Sequence, residues 1–499
     1  MKRTTCIVLL TLLNLTFLAQ TAHGLTTAST VEERLRAAAE ASGTGQGETT
    51  LHGTWHGILQ LNSLKLNLVL HLTNDSTCTL DSPDQGAKDI AGVVKELTAE
   101  KIVVQFPLIL ASYTAELKDD MLKGTFKQRN FALPLTMERG DLVRRRPQTP
   151  QPPFPYETRE VSIAPLHRLS PQPLPVREGS DYSQEAQDKG LRGQRIQEVQ
   201  GERLSTPLPH RERQGEESVE EESVTISGTL TLPPSLREGT GVGSCVLLVT
   251  GSGLQDRDET LFDHKPFAVI ADYLARHGIA TLRYDDRGFD PSTGDVSQYT
   301  TADFASDAEA ALAYLRSLKM FSKVGILGHS EGGAIAFMLA SRRDDTPFTE
   351  HPDFIVTLAA PGIRGDTLIV EQTNALLRMN GQPESMTVKR MHLTMAMQPQ
   401  GPWYEYFVAY DPADDIRSTH CPVLALNGSL DCQVLPQSNL TAIRQFSALN
   451  PQLSTKEYPG LNHLFQHATT GAPTEYGTIE ETISEEVLSD IATWVNSLK

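Results

Sequence analysis

The chain has 499 residues, of which 39% are hydrophobic and 21% charged, so it carries enough apolar side chains for packed domains and disorder throughout is excluded. Its 62 acidic residues outnumber its 44 basic ones, giving a formal net charge of -18. This balance argues against nucleic-acid binding as the main task, because a phosphate backbone requires a basic surface. A chain of this length is expected to contain two or three domains.

Residues 1–24 have the pattern of a secretory signal peptide. Lys2 and Arg3 supply the positive charge, residues 7–18 are apolar, and Ala22-His23-Gly24 offers small residues for cleavage. The apolar stretch is too short for a confident membrane span, and no second run of spanning length follows. We therefore expect an exported protein, periplasmic or extracellular, without a stable membrane span. Nothing in the sequence predicts an oligomeric state.

The next two segments differ in their predicted structure. Residues 25–48 include a short helix-forming run, which is broken by glycines at 43–47. Residues 49–143 are predicted to form a small antiparallel β domain, either a sheet or a partial barrel. Within it, residues 64–72 alternate between apolar and polar side chains, as a half-buried strand does. This β domain contains no cluster of catalytic residue types.

Residues 144–222 are predicted to be a proline-rich flexible linker or insertion. Nine prolines lie between positions 147 and 175, and most of the segment has no apolar periodicity. Residues 159–163 and 222–226 look like the two ends of one region that is interrupted by an insertion over 164–218. A peptide ligand for a binding module is the alternative interpretation of the prolines.

Residues 223–499 alternate strands with helices, which predicts a mostly parallel α/β domain. The sequence predicts strands over 224–232, 245–250, 279–284, 324–327, 354–358, 422–426 and 455–458, and helices over 262–277, 301–318, 332–343 and 479–498. Residues 361–412 interrupt this alternation with a helical stretch rich in methionine, namely Met379, Met386, Met391, Met395 and Met397. We expect this insertion to form a lid over the carboxyl edge of the sheet.

The segment 324–333 carries the strongest chemical signal. A buried strand, a sharp turn and a helix follow one another, with Ser330 at the apex of a Gly-x-Ser-x-Gly pattern. Gly328 and Gly332 remove the side chains that would collide around such a strained turn. Ser330 is the predicted nucleophile. The N–H of Glu331, at the start of the helix, is predicted to stabilise an oxyanion.

A serine hydroxyl needs a base, and in this architecture the acid and then the histidine follow the serine along the chain. Asp431 follows a predicted strand, and His463 follows the next one, so both are expected at the same sheet edge. His467 is the weaker candidate and is better explained as a surface histidine. Three further acids precede the strand and are expected to cap or line the lid: Asp411, Asp414 and Asp415.

The second oxyanion donor is expected in the turn after the strand at 245–250. The N–H of Ser252 is the first candidate and that of Gly253 the second, because glycines let the backbone approach a substrate closely. The pattern Gly-x-Gly also occurs in dinucleotide-binding loops, but the third glycine of that motif is absent here. The charged turn at 283–288 is predicted to form a buried ion-pair network, with a substrate role as the alternative.

Three ordered motifs in this part of the chain resemble the α/β-hydrolase superfamily. They are Gly-Ser-Gly-Leu-Gln-Asp-Arg-Asp at 251–258, Gly-His-Ser-Glu-Gly-Gly at 328–333 and Pro-Gly-Leu-Asn-His-Leu-Phe at 459–465. More narrowly, they look like a group of bacterial secreted esterases with an N-terminal β domain. The resemblance covers about residues 223–499 and implies a doubly wound, mostly parallel sheet with a helical lid. It also implies hydrolysis of carboxylic esters without a cofactor.

The predicted activity is hydrolysis of small or short-chain acyl esters through a Ser-His-Asp triad and an acyl-enzyme. Two alternatives stay open: a serine peptidase of the aminoacyl or prolyl type on the same fold, and a non-catalytic protein whose β domain binds envelope polysaccharide. No metal is predicted, because the four cysteines after the signal peptide lack metal-ligand spacing, and the resemblance implies that no cofactor is needed. The expected partner is a small-molecule ester substrate, with no nucleic acid and no stable membrane span.

Overall fold

The computed structural model describes residues 51–498 except 62–63, 86, 130, 165–223, 237–242, 295, 344–346 and 399. The predicted signal peptide, the predicted helical segment at 25–48 and nearly all of the predicted insertion at 164–218 lie outside the described residues. The described chain contains an antiparallel β-barrel followed by a mixed sheet flanked by helices.

Eight antiparallel strands form the barrel: β1 (Gly53–Leu61), β2 (Leu64–Leu72), β3 (Thr77–Ser82), β4 (Ala87–Leu97), β5 (Lys101–Phe106), β6 (Ala111–Lys118), β7 (Met121–Gln128) and β8 (Phe131–Arg139). Each strand pairs with the next along the chain, and β1 also pairs with β8 through Trp55 opposite Arg139. This last pairing closes the barrel, whereas the sequence predicted either a sheet or a partial barrel.

Side chains from alternate strand positions fill the barrel. In β2, Leu66, Leu68, Leu70 and Leu72 are buried, as the period-two pattern predicts. The aromatic rings of Trp55, Phe106 and Tyr113 pack with them in one apolar cluster. The barrel therefore has its own hydrophobic core.

A second, eight-stranded sheet contains β9 (Glu157–Ile163), β10 (Ile226–Leu232), β11 (Ser244–Val249), β12 (Ala280–Tyr284), β13 (Lys323–His329), β14 (Ile355–Leu358), β15 (Val423–Gly428) and β16 (Leu453–Tyr458). Their order across the sheet is β16-β15-β14-β13-β11-β12-β10-β9. The pairs from β12 through β16 are parallel, whereas β10 is antiparallel to both of its neighbours. The predicted fold class is confirmed.

The helices of this domain are α1 (Pro266–Arg276), α2 (Thr301–Ser317), α3 (Glu331–Ala340), α4 (Gly365–Met379), α5 (Val388–Met397), α6 (Pro402–Ala409), α7 (Ala413–Arg417), α8 (Asn439–Arg444), α9 (Pro473–Tyr476) and α10 (Glu485–Ser497). Short 3-10 turns cover Pro83–Gln85, Pro107–Ile109, Pro234–Leu236 and Gln445–Ala448. Buried side chains pack on both faces of the sheet in two apolar clusters, one including α2 and α3 and the other including α1 and α10.

The prediction of a flexible linker over 144–222 is wrong for its first twenty residues. Residues 157–163 form β9, in which Ile163 lies opposite Ile226 of β10. Before it, the Arg146 guanidinium donates hydrogen bonds to the carbonyls of Phe262 (2.8 Å) and Gly477 (2.9 Å). The prolines at 147–155 therefore belong to a segment that packs against the α/β domain, because side chains on either side of them find partners there.

Helices α4 to α7 lie between β14 and β15. Helices α4 to α6 occupy the stretch 361–412 that is predicted as a lid, and α7 extends this helical insertion to Arg417. Its methionines differ in environment, since Met391 is buried whereas Met379 and Met397 are exposed. The insertion reaches the sheet edge through α6, whose Trp403 indole N–H donates to the carboxylate of Glu331, the residue two positions after the end of β13, at 2.9 Å.

Candidate active site

Ser330 occupies the turn between β13 and α3. Its backbone has φ 52° and ψ -117°, a left-handed conformation that is costly for a residue with a side chain. The Ser330 N–H donates to the carbonyl of Leu358 (2.8 Å), and its own carbonyl accepts from the N–H of Gly333 (2.9 Å). These bonds hold the serine at the carboxyl end of the central strand, next to the amino end of α3.

The two flanking glycines are required by close backbone contacts. A Cβ atom at Gly328 would lie 2.0 Å from the carbonyl oxygen of Gly332. A Cβ atom at Gly332 would lie 2.1 Å from the carbonyl oxygen of Val249. Both separations are far below a van der Waals contact, so the turn around Ser330 needs glycine at both positions.

Asp431 and His463 meet at the same edge of the sheet. Asp431 follows β15 and His463 follows β16, and the Asp431 Oδ2 atom lies 2.8 Å from the His463 Nδ1 atom. The other carboxylate oxygen, Oδ1, accepts the N–H groups of Gln433 (2.8 Å) and Val434 (2.9 Å). The carboxylate is thereby fixed with one oxygen toward the imidazole. The His463 ring also lies near the end of β13, with its centroid 4.8 Å from that of His329.

The competing residues lie elsewhere. His467 is exposed and pairs with Glu481 at 2.9 Å. Asp411 accepts the N–H of Ala413 at 3.1 Å, Asp414 pairs with Arg417 at 2.5 Å, and Asp415 accepts the Tyr410 hydroxyl at 2.8 Å. Each of these acids belongs to the end of the helical insertion, whereas Asp431 contacts the histidine.

The predicted oxyanion donors surround Ser330. Glu331 is the first residue of α3, so its N–H has no acceptor within the helix. On the other side, a Cβ atom at Gly251 would lie 3.3 Å from the Cβ atom of Ser330, which places the loop of Ser252 and Gly253 beside the nucleophile. Gly253 has φ 94°, a conformation that favours glycine.

The side chain of Glu331 links several parts of this site. Its buried carboxylate accepts the hydroxyl of Thr301 (2.5 Å) and the indole N–H of Trp403 (2.9 Å), and it also receives a hydrogen bond from Ser252. Burial raises the pKa of Glu331, although these hydrogen bonds oppose the rise. The carboxylate thus joins the predicted oxyanion loop to α2 and to the helical insertion.

The charged turn after β12 forms the ion-pair network that the sequence predicts. Asp285 pairs with Arg257 at 2.5 Å, and Arg287 pairs with Asp307 at 2.7 Å. The buried Asp286 accepts the Gln255 N–H at 2.8 Å, and burial raises its pKa well above its ordinary value. Through Gln255 and Arg257, Asp286 and Asp285 hold in place the loop that carries Ser252 and Gly253.

Sequence reasoning missed the pair that Glu259 and His329 form at this site. The Glu259 Oε1 atom lies 2.8 Å from the His329 Nδ1 atom, and both side chains are buried. Burial by itself would lower the pKa of His329, but the charge and hydrogen bond of Glu259 outweigh it and raise that pKa. The residues are 70 positions apart. The only signal in the sequence is that Glu259 directly follows the motif at 251–258 and that His329 lies within the motif at 328–333.

Within the described residues, no group of three or more His, Cys, Asp or Glu side chains could hold a metal ion. The same part of the chain contains no helix that is long and apolar enough to span a bilayer. Its four cysteines are free thiols, and burial raises the pKa of Cys78 to about 12.

Comparison with known proteins gives matches to hydrolases. The family described as serine aminopeptidase, S33, matches residues 264–401. Esterase EstD of Thermotoga maritima is 28% identical over 297 residues, which cover 56% of this chain and 68% of the relative.

Solved structures with similar folds include a Pyrococcus furiosus esterase, Pf2001 (TM-score 0.38, 16% identity, 55% of this chain and 87% of that chain). Another is Est1E of Butyrivibrio proteoclasticus with bound ferulic acid (TM-score 0.36, 15% identity, 55% of this chain and 94% of that chain).

The strand order, the turn around Ser330 and the match to an esterase agree with one another, while the narrower secreted group stays a prediction. The domain that carries Ser330 has the α/β-hydrolase fold, and the chain is a hydrolase enzyme.

Proposed function

We propose that this chain hydrolyses carboxylic esters with small or short-chain acyl groups, with Ser330 as nucleophile, His463 as base and Asp431 as the orienting acid. The observation that carries the proposal is the 2.8 Å contact between Asp431 and His463, at the sheet edge where Ser330 stands at the start of α3. The similarity to an esterase over more than half of the chain supports this substrate class.

In the proposed reaction, the His463 imidazole takes the proton of the Ser330 hydroxyl while the serine oxygen attacks the ester carbonyl. The N–H of Glu331 and that of Ser252 or Gly253 stabilise the tetrahedral oxyanion. His463 then protonates the leaving alcohol, and the acyl group stays on Ser330. A water molecule, activated by the same histidine, releases the acid and restores the serine.

Asp431 supports both proton transfers. It accepts a hydrogen bond from Nδ1 of His463, which leaves Nε2 unprotonated and able to take the serine proton. Its negative charge also stabilises the imidazolium that forms after that transfer. We place the reaction outside the cytoplasm, because residues 1–24 have the pattern of a signal peptide.

The experiment compares Ser330→Ala with the parent protein on p-nitrophenyl esters of increasing acyl length, with acetylated sugars included. We expect Ser330→Ala to lose nearly all turnover and to lose labelling by a fluorophosphonate probe. Ser317→Ala is the matched control, because Ser317 is exposed at the end of α2 and its hydroxyl donates to the Tyr314 carbonyl (2.7 Å). Full activity in Ser330→Ala, or no adduct on Ser330 in the parent protein, would overturn the proposal. The second result would favour the non-catalytic alternative.

A serine peptidase is the second candidate, favoured by the match of residues 264–401 to a family described as serine aminopeptidase. The same triad could attack an amide carbonyl, with His463 protonating a leaving amine. Aminoacyl and prolyl p-nitroanilides, compared with p-nitrophenyl esters by kcat/KM, separate the two functions. A higher kcat/KM on the anilides would replace the ester proposal.

A further inference from the structure

We propose that Glu259 and His329 form a charged pair that positions the oxyanion loop and the loop of the catalytic histidine relative to Ser330. This inference rests on the proposed function, since it assigns both side chains to the support of that reaction. Neither is a catalytic residue, because each acts through another group.

The two hydrogen-bond contacts of His329 determine its protonation. Its Nδ1 atom lies 2.8 Å from a Glu259 carboxylate oxygen, and its Nε2 atom lies 3.1 Å from the backbone carbonyl oxygen of His463. Both partners can only accept hydrogen bonds, and a neutral imidazole has a single N–H. Both bonds therefore form only when His329 is an imidazolium, in accordance with the direction of its pKa.

The Glu259 side chain also holds the oxyanion loop. Its Oε1 atom accepts the N–H of Gly251 at 2.9 Å, in addition to the bond from His329. Gly251 directly precedes Ser252, which is the first candidate for the second oxyanion donor. Glu259 has φ 52°, so its backbone adopts an unfavourable conformation in the position that aims its side chain at both partners.

The pair thus connects the two loops that must cooperate in the reaction. One end fixes Gly251, the other fixes the backbone of His463, and His329 itself is the residue before Ser330. Misplacing such groups by a fraction of an ångström lowers the rate of the chemical step. Substrate binding is less affected, because neither side chain belongs to the groups proposed to meet the ester.

The apolar surroundings of Glu259 and His329 strengthen the electrostatic interaction between them. Apolar side chains line a small cavity together with Glu259 and His329: Phe267, Ile270, Leu358, Leu464, Phe465 and Ile483. The other titratable groups that act on His329 are Asp431, whose charge raises its pKa, and the neighbouring ring of His463. In such an apolar setting, removal of either charge leaves the other without compensation.

The test is Glu259→Gln, which keeps an oxygen that can accept from Gly251 but removes the charge that holds the proton on His329. We expect kcat for a short-chain ester to fall by about 10- to 100-fold with KM nearly unchanged. Loss of the His329 proton lowers activity as the pH rises, so the alkaline fall in kcat should move to lower pH in Glu259→Gln.

Glu309→Gln is the matched control. Glu309 lies in α2 and is also buried, but its carboxylate accepts the N–H groups of Thr349 (2.6 Å) and Glu350 (3.1 Å). It should leave kcat and its pH profile unchanged. Unchanged kcat and an unchanged alkaline limb in Glu259→Gln would overturn the inference. A parent protein with no ester turnover and no Ser330 adduct would instead refute the proposed function.

Nuclear magnetic resonance of the ¹⁵N-histidine-labelled parent protein decides the question even if Glu259→Gln does not fold. At pH 7, both ring nitrogens of His329 should carry a proton. A neutral His329 ring at that pH would overturn the inference whatever the activity of the variants.

Discussion

Trp403 of the helical insertion donates its indole N–H to the carboxylate of Glu331, the residue after Ser330, at 2.9 Å and 3.2 Å from the two oxygens. The same carboxylate receives a hydrogen bond from Ser252. A helix of the insertion is therefore connected, through one side chain, to both groups proposed to form the oxyanion hole. The position of the insertion and the geometry of the site are linked by this contact.

Trp403→Phe tests that link. Phenylalanine retains an aromatic ring to pack on Phe407 but removes the N–H, so the buried Glu331 carboxylate loses one of its donors. We expect kcat/KM for short-chain esters to fall by about 10-fold, as the loss of a hydrogen bond to a charged group implies. Steady-state kinetics measure it.

Trp494→Phe serves as the control for this substitution. Trp494 packs against Phe354 in an edge-to-face arrangement at 5.9 Å, in the apolar cluster that includes α10. The kcat/KM of Trp494→Phe for short-chain esters should equal that of the parent protein. Equal kinetics for the parent and Trp403→Phe would show that the contact does not affect the site.

Asp431→Asn probes the orientation of His463. The carboxamide oxygen that this substitution introduces can still accept from Gln433 and Val434 in place of Oδ1, so the turn is retained. The new amide NH₂ group then faces His463 Nδ1, which must accept instead of donate, and the proton moves to Nε2. That tautomer cannot take the proton of Ser330, so kcat should fall by about 1,000- to 10,000-fold.

The control for this variant is Asp414→Asn, because Asp414 pairs with Arg417 on the exposed end of the insertion. It should retain full turnover. A wild-type kcat for Asp431→Asn, measured with p-nitrophenyl acetate, would exclude Asp431 as the orienting acid.

Local patterns predicted most of the fold. The alternation over residues 64–72 indicated a half-buried strand, and the strand–turn–helix sequence around Ser330 indicated the carboxyl edge of a parallel sheet. Closure of the barrel was left open, because it depends on pairing between β1 and β8, which are far apart in sequence. Strand β9 was missed because a composition averaged over 144–222 conceals a strand of seven residues.

The candidate site shows the same division between local and distant information. Order along the chain was enough to select Asp431 and His463, since each follows a strand of one sheet. The contacts of Glu259 with His329 and of Trp403 with Glu331 join residues 70 and 72 positions apart. No periodicity or motif specifies such pairs, because they arise only when the sheet brings its loops together.

Arg144 connects the barrel to the α/β domain, and its removal should destabilise the protein. Its guanidinium pairs with Asp84 of the barrel and lies 3.5 Å from the carboxylate of Asp263 in the α/β domain. The side chains of Arg144 and Asp84 are buried, and Asp84 also accepts the backbone N–H of Asn67 at 2.5 Å. Arg144→Ala leaves the buried carboxylate without its cation, which should cost about 3–5 kcal/mol of stability. Chemical denaturation measures the change.

The neighbouring Arg145 provides the control for Arg144→Ala. Its side chain is 76% exposed and lies 3.5 Å from Glu480, so Arg145→Ala should change stability little. Asp84→Asn combined with Arg144→Ala should recover part of the loss, because the unpaired charge is then gone. Equal stability of Arg144→Ala and Arg145→Ala would contradict a structural role for the buried pair of Arg144 and Asp84.

His264 should make the protein sensitive to acid. Its pKa is lowered to about 4. Burial is the largest cause, and the positive charge of Arg146 lowers the pKa further. Its ring nitrogens contact the Thr482 hydroxyl at 2.9 Å and the Tyr476 carbonyl at 3.0 Å. In the unfolded chain the ordinary pKa is about 6.5, so protons bind the unfolded state first as the pH falls.

The stabilising contribution of neutral His264 is therefore complete above pH 6.5 and is lost as the pH falls toward 4. The difference between the two pKa values corresponds to about 3 kcal/mol. Urea unfolding of the parent protein and of His264→Gln at pH 7 and about pH 4.5 measures this contribution, because glutamine cannot take up the proton. The parent should lose more stability than the variant between these two pH values, and equal losses would show that the proton uptake occurs at other groups.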